Sequence, residues 1–160
     1  MVDLMIRRLR AAATNEVPGG VPFNLPAGIL GPKALLINEL SGSGGDFFPW
    51  AFRHQKVGPL IGTRTWGGLV ASSVHYSLVD GGAITAPNNG IFDPQTNKWI
   101  AENEGVAPDI EEKIDAASAS KGHDPQLERA VKEVLLLLEK DSKPTVTHPP
   151  YSTPAKKSQN

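Results

Sequence analysis

The residues best suited to chemistry lie in one short stretch, Ser41-Gly42-Ser43-Gly44-Gly45-Asp46. An apolar run, Ala34-Leu35-Leu36-Ile37, precedes it, and Phe47, Phe48, Ala51 and Phe52 follow at one-sided helical spacing. That order reads as a buried strand, a glycine turn and a helix. Such a turn lifts a serine oxygen out of the sheet, and the helix N-terminus behind it offers unpaired N–H groups to a developing oxyanion. The N–H of the following residue, Gly44, is the natural first donor. The stretch is not the Gly-x-Ser-x-Gly elbow, because position 41 is serine, and it lacks the Gly-Lys-Ser/Thr ending of a phosphate loop. Taken alone, the turn has a commoner reading: serines that cap the next helix.

A serine nucleophile also needs a base, and the chain has four histidines. His54 falls about three turns along the helix after Ser43 and is expected to point away from the turn. His75 lies on the polar side of an alternating segment, His123 precedes a helix cap, and His148 sits in a proline-rich tail. Each reads as a surface residue, so no self-contained Ser-His-Asp triad is visible. Glu102, flanked by Ala101, Asn103 and Glu104, reads on its own as a solvated loop carboxylate.

The elements that must position these residues fit in one domain, since 160 residues suffice for a single hydrophobic core. The absence of cysteine excludes disulfides, thiolate metal sites and thiol nucleophiles. A formal net charge of -1 supplies no field for nucleic acid or an anionic membrane, so neither is an expected partner. The longest apolar run, Val134 to Leu138, falls far short of the roughly 20 residues that span a bilayer.

Val2, Met5, Ile6 and Leu9 recur at helical spacing with no upstream cap, and the arginines follow the apolar residues rather than precede them. This is expected of a chain that begins inside a domain. Thr14 to Pro32, rich in glycine and proline, reads as a loop. Pro49 fits the helix after Ser43 if that helix starts near Gly45, which puts the proline in the first turn. Leu60 to Thr63 forms a second strand, and Trp66-Gly67-Gly68 a structural turn with a packed aromatic rather than a substrate contact. Val74, Tyr76 and Leu78 alternate with His75 and Ser77 as in a half-buried strand. Asp80-Gly81-Gly82 turns the chain into a returning strand at Ala83 to Ala86. Asn88 to Asn97 reads as a loop, and Trp99-Ile100 as a short strand. In the last helix Asp124 is the cap and Pro125 the first residue, with Leu127, Ala130, Val131, Val134, Leu135 and Leu138 on one face. Residues 142–160 read as a disordered proline-rich tail. The mixture predicts an α/β or α+β domain.

Several segments occur in an order that resembles a known family. They are Gly31-Pro32-Lys33, Leu36-Ile37-Asn38-Glu39, Ser43 to Asp46 with Phe48-Pro49, Gly58 to Gly68, Glu102 to Asp109 and Gly122 to Gln126. Together they resemble the C-terminal catalytic domain of tricorn proteases, relatives of the C-terminal processing peptidases, over residues 1 to about 140. The resemblance implies a crotonase/ClpP-like ββα catalytic fold with a mixed sheet and flanking helices. Residues 1–141 would be the C-terminal portion of that domain.

By the same resemblance Ser43, not Ser41, is the nucleophile of a serine peptidase acting through an acyl-enzyme. Gly44 lends an oxyanion-hole N–H, and Glu102 belongs to the catalytic tetrad, where it helps order the histidine's partner. The tetrad's Ser-His pair has no counterpart here and is expected upstream of Met1, so the chain is expected to be inactive alone. Family members commonly carry aspartate where this chain has Gly44, which keeps the N–H, loosens the turn and removes a carboxylate. The implied substrates are peptides or unfolded proteins, and the implied state is a homo-oligomer. No cofactor or metal is implied, and the implied compartment is the cytoplasm, with the periplasm as alternative. Two other readings stand beside this one. A degenerate peptidase domain would bind peptides or build an assembly, and an acyl-CoA enzyme of the crotonase type would share the fold but not the motifs at Ser43 and Glu102.

Overall fold

A computed structural model of the chain describes residues 1–7, 11–13 and 23–140. Leu9 and the expected tail at 142–160 lie outside the described residues. The first elements are a short helix α1 (Val2–Met5) and an antiparallel pair, β1 (Ala11–Ala13) with β2 (Phe23–Leu25). Strand β2 falls inside the segment read as a loop. Its three residues, Phe-Asn-Leu, are too few for an alternating pattern to stand out from the flanking prolines and glycines.

The core is built around a three-stranded sheet of β3 (Leu35–Ile37), β4 (Leu60–Gly62) and β9 (Ile110–Glu111), in the order β3-β4-β9. Among the described residues both pairings of this sheet are parallel, where a mixed sheet was expected. Antiparallel pairing is confined to separate two-stranded sheets. Parallel neighbours need a crossover, and helix α2 (Gly44–His54) supplies it between β3 and β4. Ile37, Phe52, Leu60 and Val106 form the buried cluster that joins helix to sheet, with Phe48, Trp50 and Val57 packed against it. Gly62 lets β3 and β4 approach: it has φ +130, and a Cβ there would lie 2.0 Å from the Ile37 carbonyl oxygen.

Pro49 is the sixth residue of α2, not part of its first turn. The helix begins directly after Ser43, one residue earlier than expected, and Pro49 therefore forfeits a bond to the Gly45 carbonyl. The ring is buried, so its packing offsets part of that loss.

From β4 the chain runs through an irregular segment, 63–70, into a hairpin of β5 (Ala71–Ser77) and β6 (Ala83–Asn89). The expected turn closes it: Asp80 Oδ1 accepts from the Gly82 N–H at 2.9 Å. The expected half-burial does not hold. Val74 is 61% and Tyr76 72% exposed, because β5 and β6 form a sheet of their own that no other described element covers. Beyond the hairpin, β7 (Phe92–Asp93) pairs with β8 (Lys98–Trp99) inside the region read as loop and short strand.

A one-turn helix α3 (Ala116–Ala119) leads to α4 (Pro125–Lys140). Asp124 caps α4 as expected, its Oδ1 accepting from the Leu127 N–H at 3.0 Å. The expected apolar face is only partly covered. Gln126 and Ala130 are buried against β3 and β4, whereas Leu127, Val131, Leu135 and Leu138 are exposed. The geometry explains this: a 16-residue helix runs about 24 Å, while three-residue strands span about 10 Å.

Candidate active site

Ser43 stands between β3 and α2 as the N-cap of the helix, with φ 54 and ψ -110. A non-glycine residue seldom adopts this conformation, which costs about 1–3 kcal/mol and persists only where the surroundings over-determine it. The hydroxyl makes no capping bond and is exposed. Ser41, by contrast, is committed to its own turn: its Oγ donates to Asn38 Oδ1 at 3.2 Å and accepts from the Asn38 N–H at 3.3 Å. The two serines therefore separate. Ser41 is structural, and Ser43 is the available oxygen.

Gly45 N–H donates to the Gly42 carbonyl, and Asp46 and Phe47 N–H both donate to the Ser43 carbonyl. That leaves the Gly44 N–H without a partner among the described residues, beside the serine hydroxyl and at the positive end of the helix. A Cβ at Gly44 would meet nothing within 4 Å, so no neighbouring atom requires glycine there.

A cleft of about 510 Å³ opens beside Ser43, lined also by Trp66, Gly68, Val70, Ser72 and Glu102. Its wall is the backbone of residues 66–70, which is held by two carboxylates. Asp46 Oδ1 and Oδ2 accept from the N–H groups of Gly67 (2.9 Å) and Gly68 (3.1 Å). Glu102 Oε2 accepts from both Leu69 (2.8 Å) and Val70 (2.7 Å). Four successive amides thus end on carboxylate oxygens, bonds stronger than neutral ones. The loop bearing Glu102 is tied to the same wall, since Asn103 N–H donates to the Gly67 carbonyl and Val106 N–H to Thr65 Oγ1.

Glu102 is accordingly not a free loop carboxylate. It is half-buried and shares the cleft with Ser43, and its Oε1 has no bond among the described residues. Trp66 also departs from expectation. Its ring lies against Gly42 and Gly68, where a Cβ would come within 2.6 and 2.4 Å, yet it stays 71% exposed and borders the cleft. Asp46 was legible only as part of a motif. A carboxylate three residues after a serine N-cap has the spacing of a capping box, but this one is spent on a loop 21 residues away.

The two described histidine rings are engaged elsewhere. His54, in the last turn of α2, stacks on Trp50 with centroids 4.7 Å apart, and His123 faces Glu128 at 3.4 Å. His75 lies on β5, and His148 is outside the described residues.

Fold and cleft together define an α/β protein that presents a serine at a strand-to-helix elbow. The chain belongs to peptidase family S41, whose sequence profile matches residues 9–112. It is 40% identical over 112 residues to the tricorn protease of Thermoplasma volcanium, an alignment covering 70% of this chain and 11% of the relative. It is 38% identical over 122 residues to tricorn protease homolog 1 of Streptomyces coelicolor, covering 76% of this chain and again 11% of the relative. The chain therefore spans about a tenth of the length of these curated relatives. Among solved structures it superposes on the tricorn protease with a TM-score of 0.74 at 29% identity, over 86% of this chain and 13% of that one. Mature CPAF matches with a TM-score of 0.59 at 28% identity, over 74% and 23%.

Proposed function

We propose that this chain carries the nucleophile of a serine peptidase that cleaves peptides through an acyl-enzyme at Ser43. The observation behind this reading is an uncommitted hydroxyl on a strained elbow, with the unpaired Gly44 N–H beside it. Ser43 Oγ attacks the scissile carbonyl carbon, and its proton passes to a base. The oxyanion formed is met by the Gly44 N–H. Collapse breaks the C–N bond, the base protonates the leaving amine, and water then hydrolyses the ester. Glu102, with one oxygen uncommitted across the cleft, orients the base or its partner and stabilises its charged form.

His54 and His123 are engaged elsewhere, and by the family resemblance the base and the second serine come from a segment outside this chain. Residues 1–141 then form the C-terminal portion of a crotonase/ClpP-like catalytic domain, in an enzyme built as a homo-oligomer. The same placement of His54 and His123 favours one other reading, a degenerate domain that binds peptides or supports assembly. A fluorophosphonate probe separates them. The complete gene product is expected to be labelled at Ser43, and Ser43→Ala to abolish the labelling. A folded complete protein that is not labelled would support the degenerate reading, and labelling of this chain alone would overturn its dependence on an outside base.

Trp66, exposed at the cleft mouth, offers a flat surface to a bound peptide. Trp66→Ala is expected to raise KM about fivefold with kcat little changed, the loss of roughly 1 kcal/mol of aromatic contact. Steady-state kinetics on a peptide substrate check this, and an unchanged KM would remove Trp66 from the substrate site.

A further inference from the structure

The hydrogen bonds around Ser43 close on themselves. Ser43 N–H donates to the Gly68 carbonyl at 3.0 Å. The Gly68 N–H donates to Asp46 Oδ2 at 3.1 Å. The Asp46 N–H then returns to the Ser43 carbonyl at 2.9 Å. The other carboxylate oxygen, Oδ1, takes the Gly67 N–H at 2.9 Å. Asp46 is fully buried, with 0% exposure, and so has no water to fall back on.

We propose that Asp46 is the positioning residue for Ser43, holding the serine in its positive-φ conformation by clamping Gly67–Gly68 against the start of α2. This inference rests on the peptidase reading of Ser43. In an ordinary capping box the carboxylate three residues on would bond the N-cap N–H itself. Here the Gly67–Gly68 peptide is inserted between them. The Gly68 carbonyl takes the Ser43 N–H while the N–H groups of Gly67 and Gly68 are held by Asp46. Both sides of the Ser43 backbone are thereby fixed, its N–H through Gly68 and its carbonyl through the Asp46 N–H. A residue at φ 54 relaxes to an ordinary conformation once such restraints go. Relaxation would swing Oγ away from the Gly44 N–H and from the cleft. Because both Asp46 oxygens are used, no neutral isostere can replace it. An amide has one oxygen, and its NH2 group must face one of the two glycine N–H groups.

The test is Asp46→Asn in the complete enzyme. Turnover per folded molecule, with the folded fraction measured separately, is expected to fall about a hundredfold while KM stays within twofold, as for a misplaced reacting group. Fluorophosphonate labelling of Ser43 is expected to slow in parallel. A merely structural role would lower the folded fraction and leave turnover per folded molecule unchanged, and that result would overturn the proposal. If the variant does not fold, amide exchange in the wild-type protein decides. One common opening rate for Ser43, Gly67 and Gly68 supports the clamp, and independent exchange of Ser43 overturns it. A wild-type enzyme never labelled at Ser43 would instead sink the peptidase reading, with the exchange experiment still reporting on the clamp.

Discussion

Glu102→Gln is expected to leave the protein folded while disabling the cleft, whereas Glu102→Ala is expected to damage both. The difference follows from how the carboxylate is used. Both N–H groups it accepts, from Leu69 and Val70, end on the single oxygen Oε2. A glutamine amide oxygen can accept the same pair, so the fold loses only the charge-assisted part of two bonds, about 1 kcal/mol. Alanine leaves both donors unpaired in a wall where Leu69 is only 4% exposed, and the cost rises to about 2–4 kcal/mol. Catalysis divides differently. If Glu102 stabilises a charged base, the neutral glutamine forfeits that role even with its geometry intact, and kcat should fall by about tenfold or more. Urea denaturation and single-turnover kinetics on the two variants check the pair. A glutamine variant with wild-type kcat would reduce Glu102 to a clamp on the 69–70 backbone.

Glu102 also illustrates where sequence reasoning reached and where it stopped. Leu35–Ile37 and Leu60–Gly62 were legible because glycine and proline bracket short apolar runs. The Asp124 cap was legible because its bond reaches only three residues along the chain. Glu102, by contrast, meets donors 32 and 33 residues away, and the residues beside it carry no trace of that pairing. Asp46 misleads in the opposite way, since its spacing suggests a local cap and its bonds are long-range. Burial failed for a related reason. The alternation of Val74 and Tyr76, and the stripe from Leu127 to Leu138, reveal an apolar face without saying what covers it. In the chain as described, little does. Ser43 lay between these cases: its strand-turn-helix setting is local, but the choice over Ser41 came from the family resemblance. In the structure Ser41 Oγ is bonded to Asn38, whereas the Ser43 hydroxyl makes no capping bond.

The same elbow yields the second large effect, in which stability and activity move in opposite directions. Ser43→Gly is expected to abolish peptidase activity, as Ser43→Ala does, with a loss on the order of 10⁶-fold in kcat. The two variants should differ in stability. Alanine keeps a Cβ at φ 54 and ψ -110 and hence keeps the strain. Glycine removes about 1–3 kcal/mol of strain but adds roughly 0.5–1 kcal/mol of chain entropy to the unfolded state. Relief exceeds that cost, so the glycine variant should be more stable than the alanine variant by about 1 kcal/mol. The denaturant midpoint should rise with an unchanged slope. A glycine variant less stable than the alanine one would mean that the backbone at this position carries no strain to release. The expected order would mean that the fold gives up stability to hold its serine upright, and that the cost falls at the residue proposed as the nucleophile.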